Sequence, residues 1–177
     1  FMTLSCGLIE IFTPDYLIDK LHKENYLTIE ELIQNGICLL EPIKEFNNQY
    51  VLLRGLTENK KSALTRINEA ELVKICNTSD IPLCGLSPRD AKQSCLIDSL
   101  DNSNILLTVG VGPAGTGKTT LAVAYGWEQC FNKSKKLYMC KSTALVGKGK
   151  TFGAVPGDVS DKFAPHVASY KVILDKL

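Results

Sequence analysis

The sequence has little of what a metal site, a disulfide framework or a membrane span requires. Its two histidines, His22 and His166, are isolated, and its seven cysteines form no CxxC pair. This spacing excludes the common zinc patterns, and the odd cysteine count argues against a secreted disulfide scaffold. No apolar run reaches the roughly 18 residues of a membrane helix, and no signal-peptide pattern opens the chain. We therefore expect a cytoplasmic protein with reduced thiols and no membrane partner.

Charge is distributed unevenly along a chain whose formal net charge is only +1. Residues 1–101 contain 10 lysines and arginines against 15 aspartates and glutamates, whereas residues 102–177 contain 10 against 4. The hydrophobic content of 45% is that of a globular protein with a sizeable core. A basic second half suits a polyanion such as a nucleotide or a nucleic acid, although solvated lysine-rich faces are also common.

Residues 1–84 predict a small α+β or β-barrel-like domain. Residues 4–12 have the composition of a strand. The helix that follows is expected to have Thr13 as its N-cap and Pro14 at its first position.

A second helix and a group of strands complete this predicted domain. Thr28 and Glu31 have the spacing of a capping box, and Gly36 is the expected stop of that helix. Polar turns then separate three β-rich runs, which predict short antiparallel strands at residues 49–56, 62–67 and 71–76.

Residues 85–177 predict a second domain, of the α/β class. Its first helix is expected to begin with Ser87 as N-cap, Pro88 at the first position and Asp90 closing a capping box, and to run to about Leu100.

A strand–loop–helix–strand pattern follows that helix. Residues 105–111 ("ILLTVGV") form the near-continuous apolar run expected of a buried parallel strand. A helix over 118–130, a second strand over 135–140 and a final helix over 169–177 complete a βαβ arrangement. Three aromatic side chains in or beside the first of these helices are expected to pack in the core, namely Tyr125, Trp127 and Phe131.

The segment "GPAGTGKTT", residues 112–120, lies where a βαβ unit carries a phosphate-binding loop, and it satisfies the pattern G-x-x-x-x-G-K-[ST]. Its glycines let backbone N–H groups turn towards an anion, and the following helix adds the positive end of its dipole. Lys118 is expected to reach the β- and γ-phosphates, and the Thr119 hydroxyl to bind Mg²⁺. Residues 85–177 are therefore expected to be part of a P-loop NTPase domain. The predicted nucleotide-binding residues here are Gly112, Pro113, Ala114, Gly115, Thr116, Gly117, Lys118, Thr119 and Thr120.

Two further regions carry candidate binding residues. Gln93 precedes the predicted P-loop strand, at the position where helicase-like P-loop proteins use an amide to recognise adenine; a solvated helix residue is the alternative. Arg89 is equally compatible with contact to a nucleotide and with a surface charge. The glycine-rich stretch 147–158, with Lys148 and Lys150, suggests either a loop that grips a nucleic-acid backbone or a plain connector.

Three blocks in order, residues 86–93, 110–125 and 146–170, resemble the PhoH-like family of P-loop ATPases. The resemblance implies a RecA-like α/β core behind a small, mostly β domain, with ATP and Mg²⁺ as cofactors. It also implies homo-oligomeric rings and an RNA helicase-like activity on RNA or single-stranded nucleic acid. It assigns adenine recognition to Gln93 and a family loop to residues 153–158, but the chain has Lys141-Ser142 where the family shows Arg-Pro.

The earlier part of the chain is similar to the segment that joins a PIN nuclease domain to the ATPase in PIN–PhoH fusions. The resemblance leaves two alternatives: a parent chain with a PIN domain ahead of this segment, or a parent chain without one. No acidic pair after Thr119 has the position of a Walker B motif, and we therefore expect the chain alone to hydrolyse ATP poorly, as the N-terminal portion of an ATPase. The alternatives are a nucleotide-binding regulatory or adaptor module without motor activity, and a kinase of a small metabolite.

Overall fold

The computed structural model of the protein describes residues 7–37, 46–57, 61–75, 78–140, 168 and 170–177. The chain forms two compact units, one built from residues 1–80 with 88–99 and the other from residues 81–87 with 100–177. Strands and helices are both present, so the predicted mixed α/β class is confirmed. The domain boundary expected at residue 84 stays a prediction.

A five-stranded mixed sheet forms the first unit. The strand order is β1-β3-β4-β5-β2, which leaves β1 and β2 as edges of an open sheet rather than members of a closed barrel. The three predicted antiparallel runs pair as expected, while β1 lies parallel to β3 and the short β2 joins β5. The strands are β1 Leu8–Thr13, β2 Tyr26–Thr28, β3 Tyr50–Gly55, β4 Ser62–Asn68 and β5 Glu71–Lys74.

Helices α1 (Asp15–Glu24) and α2 (Ile29–Gln34) pack their apolar side chains into the main core with one face of the sheet. The capping box of α2 is confirmed: the Thr28 hydroxyl accepts from the Glu31 N–H at 3.3 Å, and the Glu31 carboxylate accepts from the Thr28 N–H at 3.2 Å. Buried members of this core are Ile11, Leu17, Ile18, Leu21, Leu27, Ile29, Leu32, Val51, Leu53, Ile67 and Leu72.

The predicted N-cap of α1 was wrong. Pro14, not Thr13, is the N-cap residue, and it makes no side-chain cap bond. Thr13 is instead the last residue of β1, opposite Gly55 of β3, because the parallel ladder continues to the end of that strand. Its side chain is therefore buried, and its Oγ1 has no hydrogen-bond partner in the described part of the chain.

Helix α3 (Ala91–Asp101) contacts the opposite face of the sheet through the partly buried carboxylate of Asp98. Asp98 Oδ2 accepts from the Tyr50 hydroxyl at 2.8 Å and from Arg66 Nε at 3.0 Å. Tyr50 and Arg66 face each other across β3 and β4, and Arg66 also donates to Asn48 Oδ1 at 3.1 Å. The first unit therefore has helices on both faces of its sheet.

Tyr50 gives this unit a specific response to alkaline pH. Burial raises the pKa of Tyr50 well above its ordinary value, and the charge of Asp98 raises it further. Because the folded state holds this proton more tightly, its contribution to stability is complete below about pH 10 and is lost as the pH rises above that value. In urea titrations at pH 8 and pH 11 we expect Tyr50→Phe to show a smaller fall in stability than the unmodified protein. Tyr26→Phe, at an exposed tyrosine, should keep the full fall, and equal falls in all three proteins would contradict the assignment.

The second unit contains α4 (Lys118–Lys133) and helical residues 170–174, in agreement with two predicted helices. The predicted strands at 105–111 and 135–140 are not formed. A strand requires a paired neighbour, and the pairings in the described part of the chain all belong to the first unit's sheet. Leu106 and Val111 are consequently 97% and 90% exposed.

The predicted core packing of the α4 aromatic residues was only partly right. Tyr125 is half-buried, whereas Phe131 is 71% exposed and Trp127 lies at the surface beside it. The two exposed rings contact each other edge to face, with centroids 5.3 Å apart and an interplanar angle of 61°. Within the described ranges, no helix has the length and apolar character that crossing a bilayer requires.

Candidate functional site

The predicted phosphate-binding loop directly precedes α4, and its backbone depends on glycine. Gly115 has φ +79° and Gly117 has φ +84°, a left-handed conformation that residues with a Cβ rarely adopt. Pro113 and Ala114 form the exposed rim of the loop. A side chain at either left-handed position would strain the turn, so the sequence pattern and the observed backbone agree.

The start of α4 provides donors for an anion. Gly117 is the N-cap, and glycine has no side chain with which to accept from the first turn. The first backbone bond of the helix runs from Leu121 N to Gly117 O at 2.9 Å. Lys118, Thr119 and Thr120 precede that bond, so their N–H groups have no intrahelical acceptor and lie at the positive end of the helix dipole. This arrangement is typical of a phosphate site.

Lys118 turns back over the loop, and its ammonium group bonds to three loop oxygens. Nζ donates to Gly112 O at 2.9 Å, to Pro113 O at 2.6 Å and to Thr116 Oγ1 at 2.9 Å. The Thr116 hydroxyl in turn donates to Pro113 O at 3.1 Å. The cation is therefore held within the loop itself, adjacent to the helix start.

Thr119 is exposed in the first turn of α4, next to Lys118. Its hydroxyl is a hard oxygen donor of the kind that Mg²⁺ binds together with the phosphates of a nucleotide. Among the described residues, no group of three or more His, Cys, Asp or Glu side chains is arranged to hold a metal ion. The Thr119 hydroxyl could therefore supply one ligand to a magnesium ion that is bound together with a nucleotide.

Gln93 lies in the first unit, in the first turn of α3, where it has a structural role that the sequence analysis missed. Its N–H donates to Asp90 Oδ1 at 2.9 Å, and its Oε1 accepts from Arg89 N at 2.8 Å. The capping residue is therefore Asp90, and the prediction of Ser87 was wrong. The spacing Asp90-x-x-Gln93 is itself a capping-box pattern, so the signal was present in the sequence.

Contacts within the second unit hold α4 in place, and they too were missed. The Glu128 carboxylate accepts from Cys84 N at 2.7 Å, and Asp101 Oδ1 accepts from the Tyr125 hydroxyl at 3.0 Å. Burial and the bond to Asp101 raise the pKa of Tyr125 to about 12, so this hydroxyl remains a donor at neutral pH. These bonds fix the helix whose first turn forms one wall of the loop. The stretch 147–158, Lys141 and Ser142 lie outside the described residues.

The family described as "PhoH-like protein" matches residues 85–177. The chain is 25% identical over 162 residues to "Protein PhoH2" of Bacillus subtilis (strain 168), a match that covers 90% of this chain and 34% of that protein. It is 35% identical over 106 residues to "Protein PhoH2" of Mycolicibacterium smegmatis, covering 58% and 24% of the two chains. No solved structure matches. The chain spans about a third or a quarter of the length of these relatives.

Proposed function

The chain belongs to the PhoH-like protein family, which makes it a P-loop nucleotide-binding protein, and from this premise we propose that it binds ATP through residues 112–120. We further propose that the complete protein is an ATPase that couples hydrolysis to helicase-like remodelling of RNA or single-stranded nucleic acid. The observation that carries the nucleotide proposal is the left-handed backbone at Gly115 and Gly117 joined to a helix start without a capping side chain.

In this proposal the loop residues have separate roles. The backbone N–H groups of the loop and of the first turn of α4 bind phosphate oxygens, and Lys118 neutralises the β- and γ-phosphates. Thr119 binds Mg²⁺, which lowers the negative charge of the phosphates when it is bound. The residues proposed to contact nucleotide through their backbone are Gly112, Pro113, Ala114, Gly115, Thr116, Gly117 and Thr120.

The polymer partner is proposed from charge and family resemblance. Residues 102–177 have six more basic than acidic residues, 10 against 4, which suits a polyanion. The same proposal includes three further points. The polymer is RNA or another single strand, the complete protein assembles into homo-oligomeric rings, and the parent chain contains a PIN nuclease domain. ATP and RNA occur together in the cytoplasm, which is the proposed location.

Isothermal titration calorimetry tests nucleotide binding with this chain. We expect Mg·ATP to bind more tightly than AMP, because the loop and Lys118 contact the distal phosphates. Binding of ATP and AMP with equal affinity, or binding of neither, would contradict the proposed site. Hydrolysis is measured in the full-length protein with and without single-stranded RNA. A chain that binds ATP while the full-length protein neither hydrolyses it nor responds to RNA would support the alternative, a regulatory or adaptor module.

Adenine recognition by Gln93 is separated from its capping role by two substitutions. Gln93→Glu keeps an oxygen that accepts from Arg89 N, but it replaces the amide donor that adenine requires. Gln93→Ala removes both functions. We expect each variant to lose about tenfold of the preference for ATP over GTP, the value of roughly one hydrogen bond. Only Gln93→Ala should also lower the thermal midpoint, by the loss of a helix cap. If Gln93→Glu keeps the full preference, the residue is a cap alone.

A further inference from the structure

The hydrogen bond between Thr116 Oγ1 and Lys118 Nζ occupies a donor that a bound phosphate would need. An ammonium group has three N–H donors, and Lys118 has three acceptors inside the loop: Gly112 O, Pro113 O and Thr116 Oγ1. A phosphate oxygen that approaches Lys118 must therefore replace one of these acceptors or share its N–H group.

Thr116 is the acceptor that is most easily replaced. Gly112 O and Pro113 O belong to the main chain of the loop, whereas the Thr116 hydroxyl moves by rotation about a single side-chain bond. That hydroxyl already donates to Pro113 O at 3.1 Å, and this bond uses its proton rather than the lone pair that faces Lys118. When the ammonium turns to a phosphate oxygen, the hydroxyl can therefore stay in place and keep its bond to Pro113 O.

We propose that Thr116 is an affinity- and specificity-determining residue, whose hydroxyl competes with ligand phosphate for the third N–H group of Lys118. The proposal rests on the proposed nucleotide site. An anionic phosphate oxygen makes a stronger, charge-assisted bond to an ammonium than a neutral hydroxyl does. A polyphosphate whose oxygen reaches Lys118 displaces the hydroxyl, while a monophosphate bound at the helix start alone leaves the Thr116–Lys118 bond in place. Thr116 therefore weakens the binding of every ligand that must use Lys118.

The size of the effect follows from the population of the internally bonded state. The apparent dissociation constant equals the intrinsic dissociation constant divided by the fraction of protein that is competent to bind. One exposed hydrogen bond from a charged donor corresponds to about a three- to tenfold change in that fraction. Removal of the hydroxyl should tighten polyphosphate binding by the same factor.

The experiment compares Thr116→Val, Thr116→Ser and Asn132→Ala with the unmodified chain, using calorimetry with ATP and with inorganic tripolyphosphate. Valine has the shape of threonine without the hydroxyl, and we expect it to bind both ligands about three- to tenfold more tightly. Serine keeps the hydroxyl and should restore affinity close to that of the unmodified chain. Asn132, at the far end of α4, controls for a general effect of mutation. Weaker binding by Thr116→Val, or tighter binding by Thr116→Ser to the same extent, would overturn the proposal.

A second measurement needs no nucleotide. Lys118 of the unliganded chain is acylated with an amine-reactive reagent and its rate of labelling is followed by mass spectrometry. Thr116→Val and Thr116→Ala should both label Lys118 faster than Thr116→Ser, while the rate at Lys133 stays constant. If the rates at Lys118 are equal, the Thr116–Lys118 bond does not restrain the ammonium group and the proposal fails.

These outcomes separate the two proposals. Binding by the unmodified chain with no gain in Thr116→Val rejects the role of Thr116 and keeps the nucleotide site. Binding that appears only in Thr116→Val supports both. Absence of binding in every variant rejects the nucleotide site and, with it, the role of Thr116.

Discussion

Replacement of Lys118 by alanine is expected to weaken ATP binding by about 10- to 100-fold, the value of a charge-assisted hydrogen bond that is lost together with the charge. Lys118 also joins Gly112, Pro113 and Thr116, so its removal deletes three internal bonds of the loop as well as the contact to phosphate. Loss of the bonds to Gly112 O and Pro113 O acts in the same direction as loss of the phosphate contact, because a loosened loop must be ordered again when the ligand binds. Calorimetry with Mg·ATP measures the change.

Two further substitutions at Lys118 separate the effect of its positive charge from the effect of its side-chain shape. Lys118→Met keeps the unbranched apolar stem without the ammonium group and should bind ATP as poorly as Lys118→Ala. Lys118→Arg keeps the charge, but a planar guanidinium does not fit the three-oxygen arrangement, and we expect only partial affinity. Circular dichroism melts verify that α4 remains folded in each variant. If Lys118→Ala binds ATP with unchanged affinity, residues 112–120 are not the phosphate site.

Replacement of Asp98 by alanine is the second large expected effect, a loss of about 2–4 kcal/mol in the free energy of unfolding. Breaking a buried ion pair from one side costs about 3–5 kcal/mol, and residual solvent at this site reduces the figure. The side chains of Arg66 and Asp98 are 16% and 19% exposed, so the arginine would be left without its carboxylate in a largely dry environment. The Tyr50 hydroxyl would lose its acceptor as well. Urea denaturation followed by circular dichroism measures the loss.

The pair of Arg54 with Glu10 provides a matched control in the same sheet. Its N–O distance of 2.8 Å is no longer than that of the Asp98 pair, but its side chains are 38% and 51% exposed. Glu10→Ala should therefore cost much less than Asp98→Ala, because solvent screens an exposed pair. Asp98→Asn, which keeps an oxygen for the Tyr50 hydroxyl, should fall between the two. Equal losses for Asp98→Ala and Glu10→Ala would show that burial does not set the strength of these pairs.

Structural features that depend on a few neighbouring residues could be predicted from the sequence. The capping box of Thr28 and Glu31 depends on atoms within four residues, and the structure forms it as the sequence indicated. The phosphate loop is similar, because glycine spacing alone determines where the left-handed backbone of Gly115 and Gly117 is tolerated. Even the missed cap at Asp90 and Gln93 has a short-range signature, and only the choice between two overlapping patterns failed.

Strand pairing and side-chain contacts between residues far apart in the sequence could not be predicted from the sequence patterns. Nothing in residues 4–12 indicates that β1 runs parallel to β3, some forty residues later, since either direction buries the same alternate side chains. The position of α3 depends on Asp98 meeting Tyr50 and Arg66, and these partners are separated by 48 and 32 residues. Residues 105–111 have the composition of a strand, but they pair with no other strand in the described part of the chain. The composition of a segment does not show whether a partner strand is present.

The exposed run at 105–111 also has a consequence for the protein at high concentration. It contains no charged residue, and side chains such as Leu106 and Val111 stand almost wholly in water. Uncharged, β-prone stretches of this length favour intermolecular ladders that can grow into insoluble aggregates. We therefore expect this seven-residue run beside the phosphate loop to promote association at high concentration, and a single lysine placed in it to act as a gatekeeper against precipitation.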